Sequence, residues 1–420
     1  MKKILFLFLV AGLLGNVLAF DKGRNNDQKS YIPIMDSVKY NTHNPIYLNE
    51  QQKMFVNENN AFTFRFLKTI NEENASGNSF VYSPLSITYV LSMVNAAAEG
   101  NTERELETIL GFHEGGIPAV NDFCQTLIQN LPSVDKQVKL HLANAIYVNQ
   151  NEKLNPMFQK HMENYYDAVA ESLDFASEES AQQINNWCSK KTNGMIPSII
   201  DYTQENAVAY LLNAIYFKAN WTNKFPESST KTEPFTTSNG KVELPLMHQE
   251  NKYRYMQNST FAAVDIPYGN EMWRMTVMLP EKGKTTDDII NLLTIDGTEF
   301  LSEASPRTVD LKLPSFETES STPDLIGTLK KLGITSVFGI GAEIPNMCDA
   351  NVYISMMLQK ARIKVNESGS EAAAVTVAVM EKFAISPLPP VKFYADRPFV
   401  YMIREASTGV ILFVGLFTGK

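Results

Sequence analysis

Residues 367–390 read ESGSEAAAVTVAVMEKFAISPLPP and differ in composition from the rest of the chain. A glycine precedes a run of small and β-branched residues that contains no proline before Pro387. If this segment is extended, alternate side chains lie on opposite faces. One face then carries Ser370, Ala372, Ala374, Thr376, Ala378 and Met380. The other face carries Glu371, Ala373, Val375, Val377, Val379 and Glu381.

The first of these faces is small enough to slip between two existing strands of a sheet. Because the segment is rich in alanine, it is poorly suited to be a permanent strand, whereas a loop tolerates this composition. The alternative is a short alanine-rich helix on the surface, and this segment alone does not decide between the two.

Outward from this segment, helical patterns dominate the first half of the chain and strand patterns the second half. A helix is predicted after Ser83-Pro84, another after a capping box at Thr102-x-x-Glu105, and another from about 178 to 192. Strands are predicted at 208–217, 275–279, 398–403 and 409–417. This order favours an α+β fold over alternating βαβ units. Since no linker or repeat marks a boundary, we expect one large domain over residues 51–420.

The composition is that of a globular chain, with 44% hydrophobic and 20% charged residues. Acidic residues outnumber basic ones by 46 to 37, which gives a formal net charge of −9. This balance argues against nucleic acid and anionic membranes as partners, since both attract clustered cations. We expect a monomer.

The first 19 residues have the pattern of a secretory signal peptide. Two lysines precede an apolar run at 4–14, and Val17-Leu18-Ala19 supplies a cleavage position. Eleven apolar residues are too few to span a bilayer. Residues 20–50 are polar and without period, so we interpret them as a flexible extension. The sequence therefore predicts a secreted or periplasmic protein.

No pattern of an enzyme active site or a cofactor site stands out. The five histidines are scattered, and the sequence has no H-E-x-x-H, G-x-S-x-G, Walker or G-x-G-x-x-G motif. The three cysteines (Cys124, Cys188 and Cys348) have apolar neighbours and are expected to be free and buried. We expect no metal, no cofactor and no enzymatic activity.

Five motifs, in order, resemble the serpin family over residues 54 to 417. They are NSFVYSPLSI (78–87), INNWCSKKTNGMI (184–196), LLNAIYFKANW (211–221), ESGSEAAAVT (367–376) and FYADRPFVYMI (393–403). The resemblance implies one serpin-type domain with three β-sheets, eight to nine helices and an exposed reactive-centre loop. It also implies an irreversible suicide-substrate inhibitor that forms a covalent complex with a target serine protease, as its loop inserts into the main sheet. The alternatives are a non-inhibitory carrier or chaperone, or an inhibitor of trypsin-like or cysteine proteases.

The resemblance also implies where the loop is cleaved. Counting sixteen positions from Glu367 predicts the bond Phe383–Ala384, which suits the hydrophobic pocket of a chymotrypsin-like protease. Lys382 would suit a trypsin-like protease. Counting back from Val391 instead favours Ile385–Ser386.

Further residues carry over from the family pattern. The hinge and inserting loop are Glu367, Gly369, Ser370, Glu371, Ala372, Ala373, Ala374 and Thr376. Ser83, Ser86 and Asn213 match a polar cluster that governs opening of the sheet, with Gln359 where many members have histidine; Trp221 matches the site where the loop first inserts. Ser315 stands where some members have a lysine that faces the hinge glutamate. The helix that binds heparin in some members is expected near 117–130 and has no lysine or arginine, so no heparin activation is expected.

Overall fold

The computed structural model describes residues 44–320, 324–370 and 388–420. The predicted signal peptide, most of the predicted extension and residues 371–387 of the loop lie outside these ranges. The described residues contain eight α-helices together with the strands of two β-sheets, so the α+β class is confirmed. The helices are α1 (Glu50–Glu73), α2 (Pro84–Asn95), α3 (Gly100–Leu110), α4 (Gly116–Asn130), α5 (Pro156–Tyr166), α6 (Glu178–Lys191), α7 (Thr286–Asp296) and α8 (Ile326–Leu332).

The strands form two hydrogen-bonded sheets. The six-stranded sheet has the spatial order β10 (Phe316–Glu319), β11 (Met356–Asn366), β12 (Gly369–Ser370), β4 (Ala209–Asn220), β2 (Lys139–Asn149), β3 (Val169–Leu173). The nine-stranded sheet has the order β1 (Phe80–Tyr82), β15 (Ile411–Phe417), β14 (Phe399–Glu405), β8 (Trp273–Pro280), β7 (Phe261–Tyr268), β6 (Gly240–Gln257), β9 (Ser305–Pro314), β13 (Val391–Tyr394), and β5 (Lys231–Thr237) pairs with β6.

Two sheets, rather than the three we expected, result from the length of β6. This strand of 18 residues pairs with β5 over 240–246, with β9 over 246–255 and with β7 over 254–257. Strand β6 therefore joins β5, β7 and β9 into one continuous hydrogen-bonded sheet, and the described residues form two sheets where the resemblance implied three.

The core lies between the two sheets and is built around α2. This helix begins as predicted, because Ser83 accepts a hydrogen bond from the backbone NH of Ser86 and Pro84 occupies the first turn. Every residue of α2 is buried, and the helix contacts β2, β4 and β15. A second, smaller apolar cluster lies on the opposite face of the six-stranded sheet, where α6 packs through Ala181, Ile184 and Cys188. We call this the outer face of the six-stranded sheet.

The three cysteines are free and buried, as predicted. Burial raises the pKa of each thiol to about 12, so the thiols stay protonated at neutral pH. No helix in the described part of the chain is both long and apolar enough to cross a membrane.

The boundary of the predicted extension was wrong by a few residues. Helix α1 begins at Glu50, with a capping box formed by Asn49 and Gln52. Ile46 is buried, and its backbone NH donates to Ser407 Oγ at 3.0 Å. Residues 44–49 therefore belong to the folded body and not to a polar lead-in.

The predicted capping box at Thr102 and Glu105 was also wrong. Helix α3 begins earlier, at Gly100, with Glu99 as its N-cap and no side-chain cap. The Glu105 carboxylate instead accepts hydrogen bonds from the backbone NH groups of Thr335 and Ser336, each at 2.7 Å, and from both hydroxyls. Partial burial opposes ionisation, but these hydrogen bonds prevail and lower the pKa of Glu105 to about 2.

We expect Glu105→Gln to lower the stability of the protein at pH 7 by about 1 kcal/mol, because charge-assisted hydrogen bonds are lost from a partly exposed site. The pKa is depressed in the folded state, so the carboxylate stabilises the fold above its ordinary pKa and loses this effect as the pH falls toward 2. Thermal midpoints of wild type and variant should therefore converge between about pH 4.5 and pH 2. Glu103→Gln, in the same helix, is the control; an equal shift for both variants at pH 7 would contradict the assignment.

Candidate functional site at the opening of the six-stranded sheet

Between β4 and β11 of the six-stranded sheet, the described residues pair in two different ways. These strands pair directly, in parallel, from Tyr210 opposite Met356 to Ile215 opposite Ala361. Beyond this, Gly369 and Ser370 of β12 lie between them and pair antiparallel with both strands. Among the residues that the structure describes, three rows, 216–218 in β4 and 362–364 in β11, take part in neither arrangement. We call these three rows the gap.

Gly369 lets the chain turn in between β4 and β11. Its φ of +145° is a conformation that residues with a side chain rarely adopt. A Cβ atom here would lie 2.1 Å from the carbonyl oxygen of Ala219 in β4. The glycine therefore permits the close approach that brings Ser370 into the sheet.

Ser370 is buried and is held by an aromatic pair. Its hydroxyl hydrogen-bonds the hydroxyl of Tyr268 at 2.7 Å. The Tyr268 ring stacks on Trp221, with centroids 4.2 Å apart and planes 12° from parallel. Burial raises the pKa of Tyr268, so this hydroxyl remains neutral. Sequence analysis named Trp221 and Ser370, but nothing in the sequence pointed to Tyr268.

Trp221 also holds the segment that leads into the hinge. Its indole Nε1 donates to the carbonyl of Asn366 at 2.9 Å, and its backbone NH donates to the carbonyl of Ser368 at 2.9 Å. The turn between β11 and β12 is therefore fixed to the end of β4 by one residue.

The hinge glutamate has a partner that the sequence did not suggest. The hydroxyl of Thr230 donates to Glu367 Oε1 at 2.7 Å, and the backbone NH of Phe225 donates to the Glu367 carbonyl. Ser315, which stands where a facing lysine was considered, donates instead to the carbonyl of Val365 at 3.1 Å. Glu367 is thus restrained by a hydrogen bond from the uncharged hydroxyl of Thr230 and not by an ion pair with a lysine.

The predicted polar residues do come together beneath the paired part of β4 and β11. Gln359 Nε2 donates to Asn213 Oδ1 at 3.1 Å and to the carbonyl of Ser83, while its Oε1 accepts from the NH of Ser83. Ser83 Oγ donates to Ser86 Oγ at 3.0 Å. Asn144, which sequence analysis missed, accepts from Asn213 Nδ2 at 2.8 Å.

The side chain of Gln359 therefore links β11 both to Asn213 of β4 and to the start of α2. All of these side chains are buried. Separating the two strands must break the bond between Gln359 and Asn213, and buried amides left without partners are costly.

The predicted reactive-centre loop lies in the sequence between a strand of the six-stranded sheet and a strand of the nine-stranded sheet. Residues 371–387, which contain every candidate cleavage site (Lys382, Phe383, Ala384, Ile385 and Ser386), lie outside the described residues. The chain is described up to Ser370 in the six-stranded sheet. It continues in β13, which pairs in parallel with β9 of the nine-stranded sheet.

Strand β13 is well anchored at the far end of the loop. Phe393 is buried in the core. The hydroxyl of Tyr394 donates to Asp310 Oδ2 at 2.5 Å, and this hydrogen bond to a carboxylate raises the pKa of Tyr394 to about 12. Asp310 Oδ1 also lies 2.7 Å from His248 Nε2. Both ends of the loop are thus fixed by buried or hydrogen-bonded side chains.

Comparisons with known proteins agree with this architecture. A family model described as Serpin (serine protease inhibitor) matches residues 57–419. An uncharacterized serpin-like protein of Thermococcus kodakarensis is 30% identical over 412 residues, which are 97% of this chain and 96% of that protein. The leukocyte elastase inhibitor of Sus scrofa is 31% identical over 374 residues, 85% of this chain and 97% of that protein.

Solved structures show the same fold. The thermophilic serpin tengpin in its native state superimposes with a TM-score of 0.81 at 26% identity, covering 92% of this chain and 99% of tengpin. Thyroxine-binding globulin in complex with thyroxine gives a TM-score of 0.78 at 25% identity, covering 87% and 98%. Since the family model spans most of the sequence and the relatives align over nearly their whole length, the chain belongs to the serpin family.

Proposed function

We propose that this serpin is a suicide-substrate inhibitor of serine proteases, with a preference for chymotrypsin-like or elastase-like enzymes, and that it acts after export from the cell. The observation that supports it most strongly is the register of Gly369 and Ser370 between β4 and β11. If this register continues residue by residue, it predicts which residues of β4 and β11 lie beside each of the loop residues 371–380 after insertion.

On the core face, the register fits the loop's small side chains. Ser370 lies opposite Ala219 and Val365, whose side chains are in the core. Every second loop residue would follow it onto this face, and these residues are small or readily buried. Thr376 would lie between Asn213 and Gln359, where its hydroxyl can take the place of the hydrogen bond that opening breaks.

On the outer face, the register would place the apolar loop residues beside apolar residues of the sheet and the charged loop residues at the two ends. Val375, Val377 and Val379 would lie in the rows of Ala214, Leu212 and Tyr210 of β4. These three β4 residues belong to the apolar cluster under α6. The glutamates Glu371 and Glu381 would lie at the two ends, beyond this cluster. The loop would therefore place apolar residues against this apolar cluster and charged residues beyond it.

The length of the inserting segment also matches the length of strand β4. Strand β4 has 12 residues, Ala209–Asn220. In the same register, residues 369–380 would pair with all 12 of them. Cleavage after Phe383 would leave three residues between the new strand and the attached protease. The protease would thereby be carried along a strand of about 40 Å.

The protease carries out the cleavage chemistry, and the serpin prevents hydrolysis of the acyl-enzyme that results. The protease serine attacks the carbonyl carbon of Phe383, the bond to Ala384 breaks, and the new amine takes a proton from the protease histidine. The acyl ester remains on Phe383. Once residues 371–380 enter the sheet, the ester is pulled away, and the catalytic groups lose the geometry that hydrolysis needs.

The residue types in the hinge and inserting loop support a role as a ligand carrier less well than a role as an inhibitor. Thyroxine-binding globulin shows that the fold can serve in ligand binding. A non-inhibitory serpin, however, has no need for a loop whose core-facing positions lack charge and proline. Here these positions are Ser370, Ala372, Ala374, Thr376 and Ala378.

With chymotrypsin, we expect a covalent complex that survives denaturing gel electrophoresis and the release of a 37-residue fragment, 384–420. Intact mass spectrometry identifies the bond that is cut. A fragment that begins at Phe383 would instead place the cleaved bond after Lys382, and one that begins at Ser386 would place it after Ile385. Either result would change the predicted protease specificity. Clean cleavage by chymotrypsin, trypsin and elastase without any complex would contradict the inhibitory function.

Thr376→Arg should convert the protein from inhibitor to substrate, because the register buries this side chain beside Asn213 and Gln359. An unpaired charge there should raise the number of inhibitor molecules consumed per protease by more than about tenfold. Ala373→Gln is the matched control, since Ala373 would face outward in the gap. Equal stoichiometry for both variants would contradict the proposed register.

Heparin should accelerate inhibition by less than about twofold, because sulfated chains need a basic cluster. Helix α4 occupies the predicted position and has no lysine or arginine. Association rates measured with and without heparin test this, and a saturable, bell-shaped acceleration would show that a basic site elsewhere binds it.

A further inference from the structure

One carboxylate of the nine-stranded sheet is shared by three strands. Asp310 belongs to β9, which lies between β6 and β13. Its Oδ2 accepts a hydrogen bond from the hydroxyl of Tyr394 in β13, and its Oδ1 lies 2.7 Å from Nε2 of His248 in β6. Lys392 of β13 lies directly opposite Asp310 in the strand register. The carboxylate therefore meets a histidine on one side, and a tyrosine and a lysine on the other.

Asp310 stays ionised over the pH range in which histidine side chains titrate. Partial burial disfavours its charged form, but the hydrogen bonds from Tyr394 and His248 prevail and lower its pKa below the ordinary value. Nearby positive charge, including that of Lys392, acts in the same direction. Histidine changes its charge between about pH 5 and pH 8. The side chain of His248 is 41% exposed, so it can exchange its proton with solvent.

The other charged groups near His248 are glutamate and lysine side chains, which carry constant charge over this range. Lys312 of β9 lies directly opposite His248, and its Nζ pairs with Glu233 of β5 at 2.6 Å. The remaining charges on this part of β6 and on the elements that contact it are Glu250 and Lys252 of β6, Lys231 of β5 and Glu227 in the short turn before β5. Protonation of His248 is therefore the charge change that this cluster undergoes near neutral pH.

A protonated His248 competes with β13 for the same carboxylate. If β13 detaches, Lys392 and the hydroxyl of Tyr394 leave Asp310, which then attracts the histidine proton more strongly. By linkage, a proton that binds more tightly to the detached form favours detachment. We infer that protonation of His248 loosens the attachment of β13 to β9, so that His248 is a pH-sensitive latch at the far end of the reactive-centre loop.

Strand β13 is short enough for such a latch to matter. It has four residues, Val391–Tyr394, and β9 is its one partner strand among the residues that the structure describes. Few backbone hydrogen bonds hold it, so its side-chain contacts carry a large share of the attachment. Loosening β13 would free one anchor of the loop in the intact protein. Inhibitory capacity should then decay faster on storage at low pH, and this consequence, unlike the latch itself, rests on the proposed function.

Hydrogen exchange of the intact protein tests the latch directly. The amides of β13 and of β14 are followed by mass spectrometry at about pH 5.5 and pH 7.5, and each rate is corrected for the intrinsic effect of pH on exchange. We expect the protection of β13 to be about two- to fivefold lower at the lower pH, because the competing contacts are partly exposed. The protection of β14, which lies in the core of the same sheet, should stay constant.

Three variants separate competition for Asp310 from a general loss of structure. His248→Gln can still donate a hydrogen bond but cannot take up a proton, so the pH dependence of β13 exchange should disappear. Lys392→Gln removes the competing cation and should reduce the pH dependence to less than about twofold. His113→Gln, at an exposed position between α3 and α4, is the matched control and should behave like wild type.

Three results would each overturn the inference: an unchanged pH dependence in His248→Gln, slower exchange of β13 at the lower pH, or an equal change in β14. Because the exchange experiment needs no protease, it decides the role of His248 even if the protein forms no covalent complex. That failure would overturn the proposed function instead.

Discussion

Strands β4 and β11 are hydrogen-bonded to each other over six residue pairs and then diverge around Gly369 and Ser370. The rest of the structure is arranged around this partly closed seam. Trp221, Tyr268 and Thr230 hold the hinge at its open end, and an apolar cluster that includes residues of α6 lies on the outer face of its closed part. Inserting a strand would require β4 and β11 to move from adjacent positions, about 4.8 Å apart, to about twice that distance.

The seam is closed by contacts that a new strand can replace. In the described state, Gln359 bonds directly to Asn213, and the amide of Asn144 completes the network. An inserted loop offers a hydroxyl at this level and backbone hydrogen bonds along both strands, each with a net value of about 0.5–1.5 kcal/mol. Because the ten residues 371–380 would gain partners on both sides, the inserted form should be the more stable one. On the proposed mechanism, the intact protein would be a metastable state that persists because opening is slow.

The sequence predicted the α+β class, the helices after Ser83 and at 178–192, the strand through 208–217 and the polar cluster, since each follows from periodicity or from a family motif. It did not predict the partners of Ser370 and Glu367, because Tyr268 and Thr230 are distant in the chain and only the fold brings them close. Thr102 and Glu105 matched a capping box by spacing alone, but Glu105 is used to hold the turn at Thr335 and Ser336.

A crystal structure of the protein cleaved in its reactive-centre loop tests the central claim most directly. Insertion in the register of Gly369 and Ser370 predicts a continuous strand from 369 to 380 between β4 and β11, with Thr376 between Asn213 and Gln359. A cleaved structure in which Gln359 still bonds to Asn213, with the loop outside the sheet, would contradict it.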